Sequence, residues 1–131
     1  MVSYTDTEKH VDPVEKKSEE SVEVNQDLIL GVLRKNYDGV ANVELDENNK
    51  TYRIIYTNED FIYAIKMIVD VDNPDTELIE VWDSIVENFV LLSKSISEVL
   101  PGYKLSLVNP ANADYTLLIV LDGAVVYNCI K

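Results

Sequence analysis

The 131 residues carry 24 Asp and Glu against 11 Lys and Arg, a formal net charge of −13, with 47% hydrophobic and 27% charged residues. This length holds one domain and not two, and the single Cys, four Gly and four Pro exclude a disulfide scaffold and a collagen. So acidic a surface is repelled by nucleic-acid phosphates and anionic lipid headgroups, which excludes both as general partners.

The chain opens on a polar stretch, residues 1–24, in which Asp6, Glu8, Asp12, Glu15, Glu19, Glu20 and Glu23 outnumber Lys9, Lys16 and Lys17. Its valines (Val2, Val11, Val14, Val22 and Val24) follow neither a helical nor a strand period. Such a segment buries too little to offset the entropy of ordering it, and it reads as a flexible acidic tail or tether. Residues 25–131 read as a single folded domain. The start shows no basic and apolar signal pattern, and no segment reaches the ~20 apolar residues of a membrane span.

From Asn25 the pattern changes. Leu28, Ile29, Val32, Leu33 and Tyr37 recur at helical spacing, with Asn25 as N-cap and Asp38-Gly39 as the stop. Ala41, Val43 and Leu45 alternate with Asn42, Glu44 and Asp46, Tyr52, Ile54 and Tyr56 alternate with Thr51, Arg53, Ile55 and Thr57, and Asp46 to Lys50 is a hairpin turn. Thr57 to Asp60 starts a short helix carrying Phe61, Ile62, Ile65, Ile68 and Val69.

Asp70-Val71-Asp72-Asn73-Pro74-Asp75 invites a calcium-loop reading, which fails on geometry. Counted from Asp70, the sixth position is Asp75 instead of Gly and the twelfth is Val81 instead of Glu. The turn reads better as a helix start, with Asn73 as N-cap and Pro74 as first helical residue.

Leu78, Trp82, Ile85, Phe89, Leu92, Ile96 and Val99 then repeat at intervals of 4 and 3. Glu80, Asp83, Glu87, Lys94 and Glu98 take the other side. This predicts a long amphipathic helix over 74–100, ended by Pro101-Gly102 and lying along a sheet. Three strands close the chain: Tyr103 to Leu107, the apolar run Tyr115 to Leu121, and Ala124 to Ile130 after the hairpin dipeptide Asp122-Gly123. The expected fold is α+β, an antiparallel sheet of about five strands with helices on one face, in the order α-β-β-α-α-β-β-β.

The residues that could carry catalysis are scattered. Gly31, Gly39, Gly102 and Gly123 stand alone, so no phosphate loop forms, and the only histidine, His10, lies in the polar tail. Cys129 sits in an apolar stretch and reads as a small buried hydrophobe. The sequence predicts a protein that is not an enzyme and holds no metal and no cofactor.

One face of the expected sheet exceeds a plain solvated surface. If Tyr52, Ile54, Leu105, Leu117 and Ile119 face the helices, the opposite face presents Ile55, Leu118 and Val120 beside Arg53, Lys104, Ser106 and Thr116. Arg53, Ile55, Lys104, Ser106, Thr116 and Leu118 are therefore the candidate binding residues, for a partner protein, a small ligand or a second copy making a homodimer.

The helix block Val81-Trp82-Asp83-Ser84-Ile85-Val86, continued by Leu92-Ser93-Lys94-Ser95-Ile96, resembles that of small predicted secreted lipoproteins of Firmicutes. Asn109-Pro110-Ala111-Asn112-Ala113-Asp114-Tyr115-Thr116-Leu117-Leu118 is similar to their turn and strand. Leu121-Asp122-Gly123-Ala124-Val125-Val126-Tyr127 resembles their closing strand, with Asn128 where that family often has Asp. The resemblance covers residues 78–128. It implies an extracytoplasmic binding or protein-interaction domain of unknown function at the Gram-positive cell surface. It also implies a membrane held only through a lipid anchor, on a cysteine upstream of this chain, with residues 1–24 as spacer. The family offers no activity and no site residues to carry over. The alternative reading is an intracellular acidic inhibitor that mimics nucleic-acid charge, phage-borne in origin, with Glu80, Asp83 and Glu87 as its stripe.

Overall fold

The computed structural model describes residues 11–130, with side chains over 21–130. The elements follow as α1 (Val11–Asn36), β1 (Ala41–Asp46), β2 (Thr51–Tyr56), α2 (Glu59–Val69), α3 (Thr76–Val99), β3 (Lys104–Val108), β4 (Thr116–Leu121) and β5 (Ala124–Asn128). The fold is α+β, with one five-stranded mixed sheet in the order β1-β2-β3-β4-β5.

The first helix begins at Val11, not at Asn25, so the boundary expected at residue 24 does not coincide with a helix start. The reason lies in propensity. Glu, Lys and Gln are strong helix formers even without an apolar period, and Pro13 falls in the first turn, where its missing N–H costs nothing. Residues 1–10 lie outside the described residues. Further along, Gln26, Leu33 and Tyr37 turn inward, and the chain leaves the helix through Gly39 at φ 77°. A side chain there would be strained, which is why glycine stands at this turn.

α2 is capped by Asn58, whose side-chain oxygen accepts from the Asp60 and Phe61 backbone N–H groups at 3.0 and 3.3 Å. α3 starts at Thr76 with Asp75 at the N-cap, two residues later than the expected start at Pro74 with Asn73 as cap. Its inner stripe is Trp82, Ile85, Phe89, Ser93 and Ile96, all buried against β3, β4 and β5. Burying an aromatic such as Trp82 or Phe89 contributes roughly 1.5–3 kcal/mol each, so this helix anchors the core. One cluster joins it to Leu33 of α1, Ile65 and Ile68 of α2, and Val43, Ile54, Leu105, Leu107, Leu118 and Val120 of the sheet.

The sheet is mixed, not antiparallel throughout. β1–β2, β3–β4 and β4–β5 are antiparallel pairs, but β2 and β3 run parallel, with Tyr52 beside Leu105 and Ile54 beside Leu107. A parallel pair needs a crossover, and the α2–α3 connection supplies it. α3 crosses the sheet and returns the chain at Pro101-Gly102 to the end where β2 begins. There Lys104 N–H donates to Lys50 O at 2.8 Å and opens the pairing.

Candidate functional site

Alternation places the open face of the sheet. In β1 and β2, Val43 and Ile54 turn toward the helices, so Glu44 and Arg53, which pair with each other, turn away. The same row continues through Ser106, Ile119 and Tyr127, each the register partner of the one before. A second row holds Asp46, Thr51, Lys104, Leu121 and Ala124.

Across these rows runs a shallow groove of about 260 Å³, lined by Asp46, Asn49, Thr51, Arg53, Lys104, Ser106, Thr116 and Ile119. The structure thus brings together Arg53, Lys104, Ser106 and Thr116 of the expected set. Ile55 lies on the same face, half-buried and paired with Asn42, but outside the groove lining.

Leu118 is a correction. It pairs with Leu107, is 0% exposed and belongs to the core under the helices, as does Val120. The register shifts between Leu107 and Val108: Val108 faces Thr116 while Leu107 faces Leu118, so Leu117 is an extra residue. A bulge of one residue reverses the facing of everything beyond it. Thr116 stays outside and Leu117 inside, as expected, but past the bulge Leu118 and Val120 turn in. Ile119, expected inside, takes the outer position.

Arg53 is held in place. Its Nη1 donates to Glu44 Oε1 at 3.0 Å, and its Nη2 donates to the Ala113 carbonyl at 3.0 Å. That carbonyl belongs to a braced loop. Asn109 Oδ1 accepts from Ala111 N–H and Asn112 Oδ1 accepts from Asp114 N–H, at 2.9 and 3.1 Å, two local turns built by asparagine side chains. The two asparagines of the turn motif shape the loop that positions Arg53. At the groove's other end, Asn49 donates to both Asp46 carboxylate oxygens, at 3.3 and 2.7 Å, which lowers that carboxyl's pKa from its ordinary value. Lys104, half-buried, makes no ion pair among the described residues.

A second recess, of about 350 Å³, lies where α1 ends against α3, lined by Tyr37, Tyr56, Phe61, Ser84, Ile85 and Asn88 among others. Tyr56 and Phe61 stack with centroids 4.9 Å apart, and Tyr37 meets Tyr56 edge-on at 6.3 Å. The Tyr37 hydroxyl is buried and meets no partner at hydrogen-bonding geometry. Burial raises its pKa far above the ordinary value, the neighbouring Tyr56 adds to this, and the Asn88 side chain draws it partly back. Burial likewise pushes Tyr56 up to about 12.

Cys129 is half-buried against the core, and desolvation raises its thiol pKa, which works against thiolate chemistry. Among the described residues no group of three or more His, Cys, Asp and Glu is placed to hold a metal, and no helix is long and apolar enough to cross a membrane. His10 lies outside the described residues. One polar element escaped sequence reasoning. Gln26, buried in α1, donates to the Tyr103 hydroxyl at 2.6 Å and accepts from the Tyr52 hydroxyl through its backbone oxygen at 2.9 Å. A glutamine on the apolar side of a helix was its only signal. No protein-family model matches the chain, and neither the curated proteins nor the solved structures searched contain a match.

Proposed function

We propose that this chain is a noncatalytic binding module whose working surface is the groove on the open sheet face, and that its ligand presents a carboxylate beside an apolar group. One observation carries this reading. In a chain of net charge −13, the guanidinium of Arg53 and the ammonium of Lys104 border the same groove, beside the hydroxyl residues Thr51, Ser106 and Thr116 and the apolar wall of Ile119. The ammonium of Lys104, with the guanidinium N–H groups that Arg53 does not spend on Glu44 and Ala113, suits a carboxylate, while the hydroxyls and the isoleucine orient what is attached to it. Placement at a Gram-positive cell surface, tethered through a lipid, rests on the resemblance of residues 78–128.

The test is a titration of the isotope-labelled chain with N-acetyl-leucyl-glutamate, followed by NMR. Shifts confined to Arg53, Lys104, Ser106, Thr116 and Ile119, and lost in Lys104→Glu, support the reading. Shifts absent throughout, or centred elsewhere, overturn it. Lipid attachment is tested separately, by mass spectrometry of the mature N-terminus from cells expressing the whole gene.

A second reading has its own observation. Glu80, Asp83 and Glu87 are all exposed and lie on one side of α3, as an acidic inhibitor that mimics nucleic acid would need. Binding to a basic, nucleic-acid-handling protein that vanishes as salt is raised would favour it over the groove.

A further inference from the structure

The two edges of the sheet differ in how they are protected. On β1, Arg34 donates from Nε and Nη2 to the Val43 carbonyl at 3.2 and 3.1 Å, and Glu44 and Asp46 put charge on the strand. These are the devices by which proteins prevent an exposed edge from pairing with another chain.

β5, the opposite edge, has neither the charge nor the arginine cover of β1 among the described residues; its protection is its short length and one bulge. From Ala124 to Ile130 it has no charged residue, in a chain where 27% of residues are charged. Val125, Val126 and Tyr127 are 43%, 58% and 47% exposed. The register shift opposite Ile119 and Val120 leaves Val126 as the extra residue; the bulge bends the edge locally, but the side chain it exposes is apolar and not a charge.

α3 places charge beside this edge. Ser93 Oγ accepts from Gly123 N–H at 2.7 Å where β5 begins, and Trp82 Nε1–H donates to Asn128 Oδ1 at 3.1 Å where it ends. The helix therefore runs antiparallel to β5 along its whole length. Lys94 lies over the turn: a Cβ on Gly123 would meet its Cγ at 2.5 Å. Lys94 thus marks the side of α3 toward β5, and Asp83, about three helical turns earlier, shares that side.

We propose that two copies of this chain associate through β5, antiparallel, into one continuous sheet, with Lys94 of each copy directed toward Asp83 of the other. Antiparallel pairing of one strand with its copy generates a two-fold axis normal to the sheet. That axis reverses one α3 against the other, so Lys94 of each helix comes opposite the end of the other that carries Asp83. Within the paired strands only uncharged side chains meet, so no like charges oppose one another. The net charge of each copy resists association at low ionic strength, and salt screens that repulsion, so the dimer tightens as ionic strength rises from ~0.01 M to ~0.15 M. The open-face groove remains free, so this association and ligand capture stand or fall separately.

The experiment is sedimentation equilibrium of the full chain over a concentration series. The wild type is expected to reach the mass of two copies. Val126→Lys and Val125→Lys, at exposed positions, are expected to raise the dissociation constant at least roughly tenfold, with the circular dichroism spectrum unchanged. Lys94→Glu weakens the dimer, and adding Asp83→Lys restores it. A single-copy mass at every concentration overturns the proposal. So does a dimer indifferent to both valine variants, or one abolished by Ile119→Asp on the open face instead.

Discussion

Trp82 on α3 donates its indole N–H to the Asn128 side chain at 3.1 Å, joining the N-terminal part of the chain's longest apolar seam to the end of its last strand. The same oxygen accepts from the Ile130 backbone N–H at 3.0 Å. Asn128 is therefore a double acceptor, and its oxygen, not its amide, is what the fold uses.

Removing that acceptor leaves a buried indole N–H without a partner. Asn128→Ala is expected to destabilise the fold by about 1–3 kcal/mol, the usual cost of an orphaned buried donor. Asn128→Asp keeps both hydrogen bonds and is expected to stay within about 1 kcal/mol of wild type. Urea denaturation of the three proteins checks the ordering. Equal losses in both variants would mean that the amide nitrogen matters after all.

Tyr37 presents the converse case, a donor already orphaned. Tyr37→Phe removes a buried hydroxyl that has no partner and keeps the ring that meets Tyr56 edge-on. Stability is expected to rise by about 1 kcal/mol, since the desolvation cost of the hydroxyl disappears while the packing stays. A loss of similar size would show that the hydroxyl bonds Asn88 or a bound water in solution.

The tyrosines also set an alkaline limit. Burial raises the Tyr37, Tyr52 and Tyr56 hydroxyls above the ordinary value near 10, with Tyr56 at about 12. A folded-state pKa above the unfolded one contributes stability that is intact below the unfolded value and lost as pH climbs toward the folded value. The window is therefore pH 10 to about 12. Each such group lowers stability by up to about 1.4 kcal/mol per pH unit within it. Thermal unfolding followed across this range is expected to show a steep fall in Tm, shallower in Tyr56→Phe. A flat profile up to pH 12 would contradict the burial of these hydroxyls.

How legible all this was depends on which physical signal each element carries. The α3 seam was plain because Trp82, Ile85, Phe89 and Ile96 recur at the helical period and are buried as that period requires. β1 alternates cleanly and β2 does so through Tyr52-Arg53-Ile54, so the outward facing of Arg53 could be read from sequence, and Lys104 and Ser106 followed from β3. The start of α1 was missed because Glu and Lys propensity leaves no hydrophobic period. The parallel β2–β3 pair was missed because direction is set by where a connection emerges, not by the strands themselves. The facing of β4 was missed because Thr-Leu-Leu-Ile-Val-Leu has no polar alternation to fix its phase, and a single extra residue, Leu117, decides it.

That last point yields the sharpest test of the binding face. Leu118 and Ile119 are adjacent, both apolar and both in β4, yet one is sealed between sheet and helices and the other lines the groove. A carboxylate at 118 would be buried without a partner, and Leu118→Asp is expected to cost at least about 4 kcal/mol, enough to abolish a marginal fold. Ile119→Asp places the same charge on a face open to water, within reach of Arg53 and Lys104, and is expected to cost less than about 1.5 kcal/mol. Circular dichroism and urea denaturation of the two variants separate these outcomes. If Leu118→Asp folds and Ile119→Asp does not, β4 is phased the other way, Ile119 leaves the groove, and the wall beside the two cations has to be sought at Leu118 and Val120.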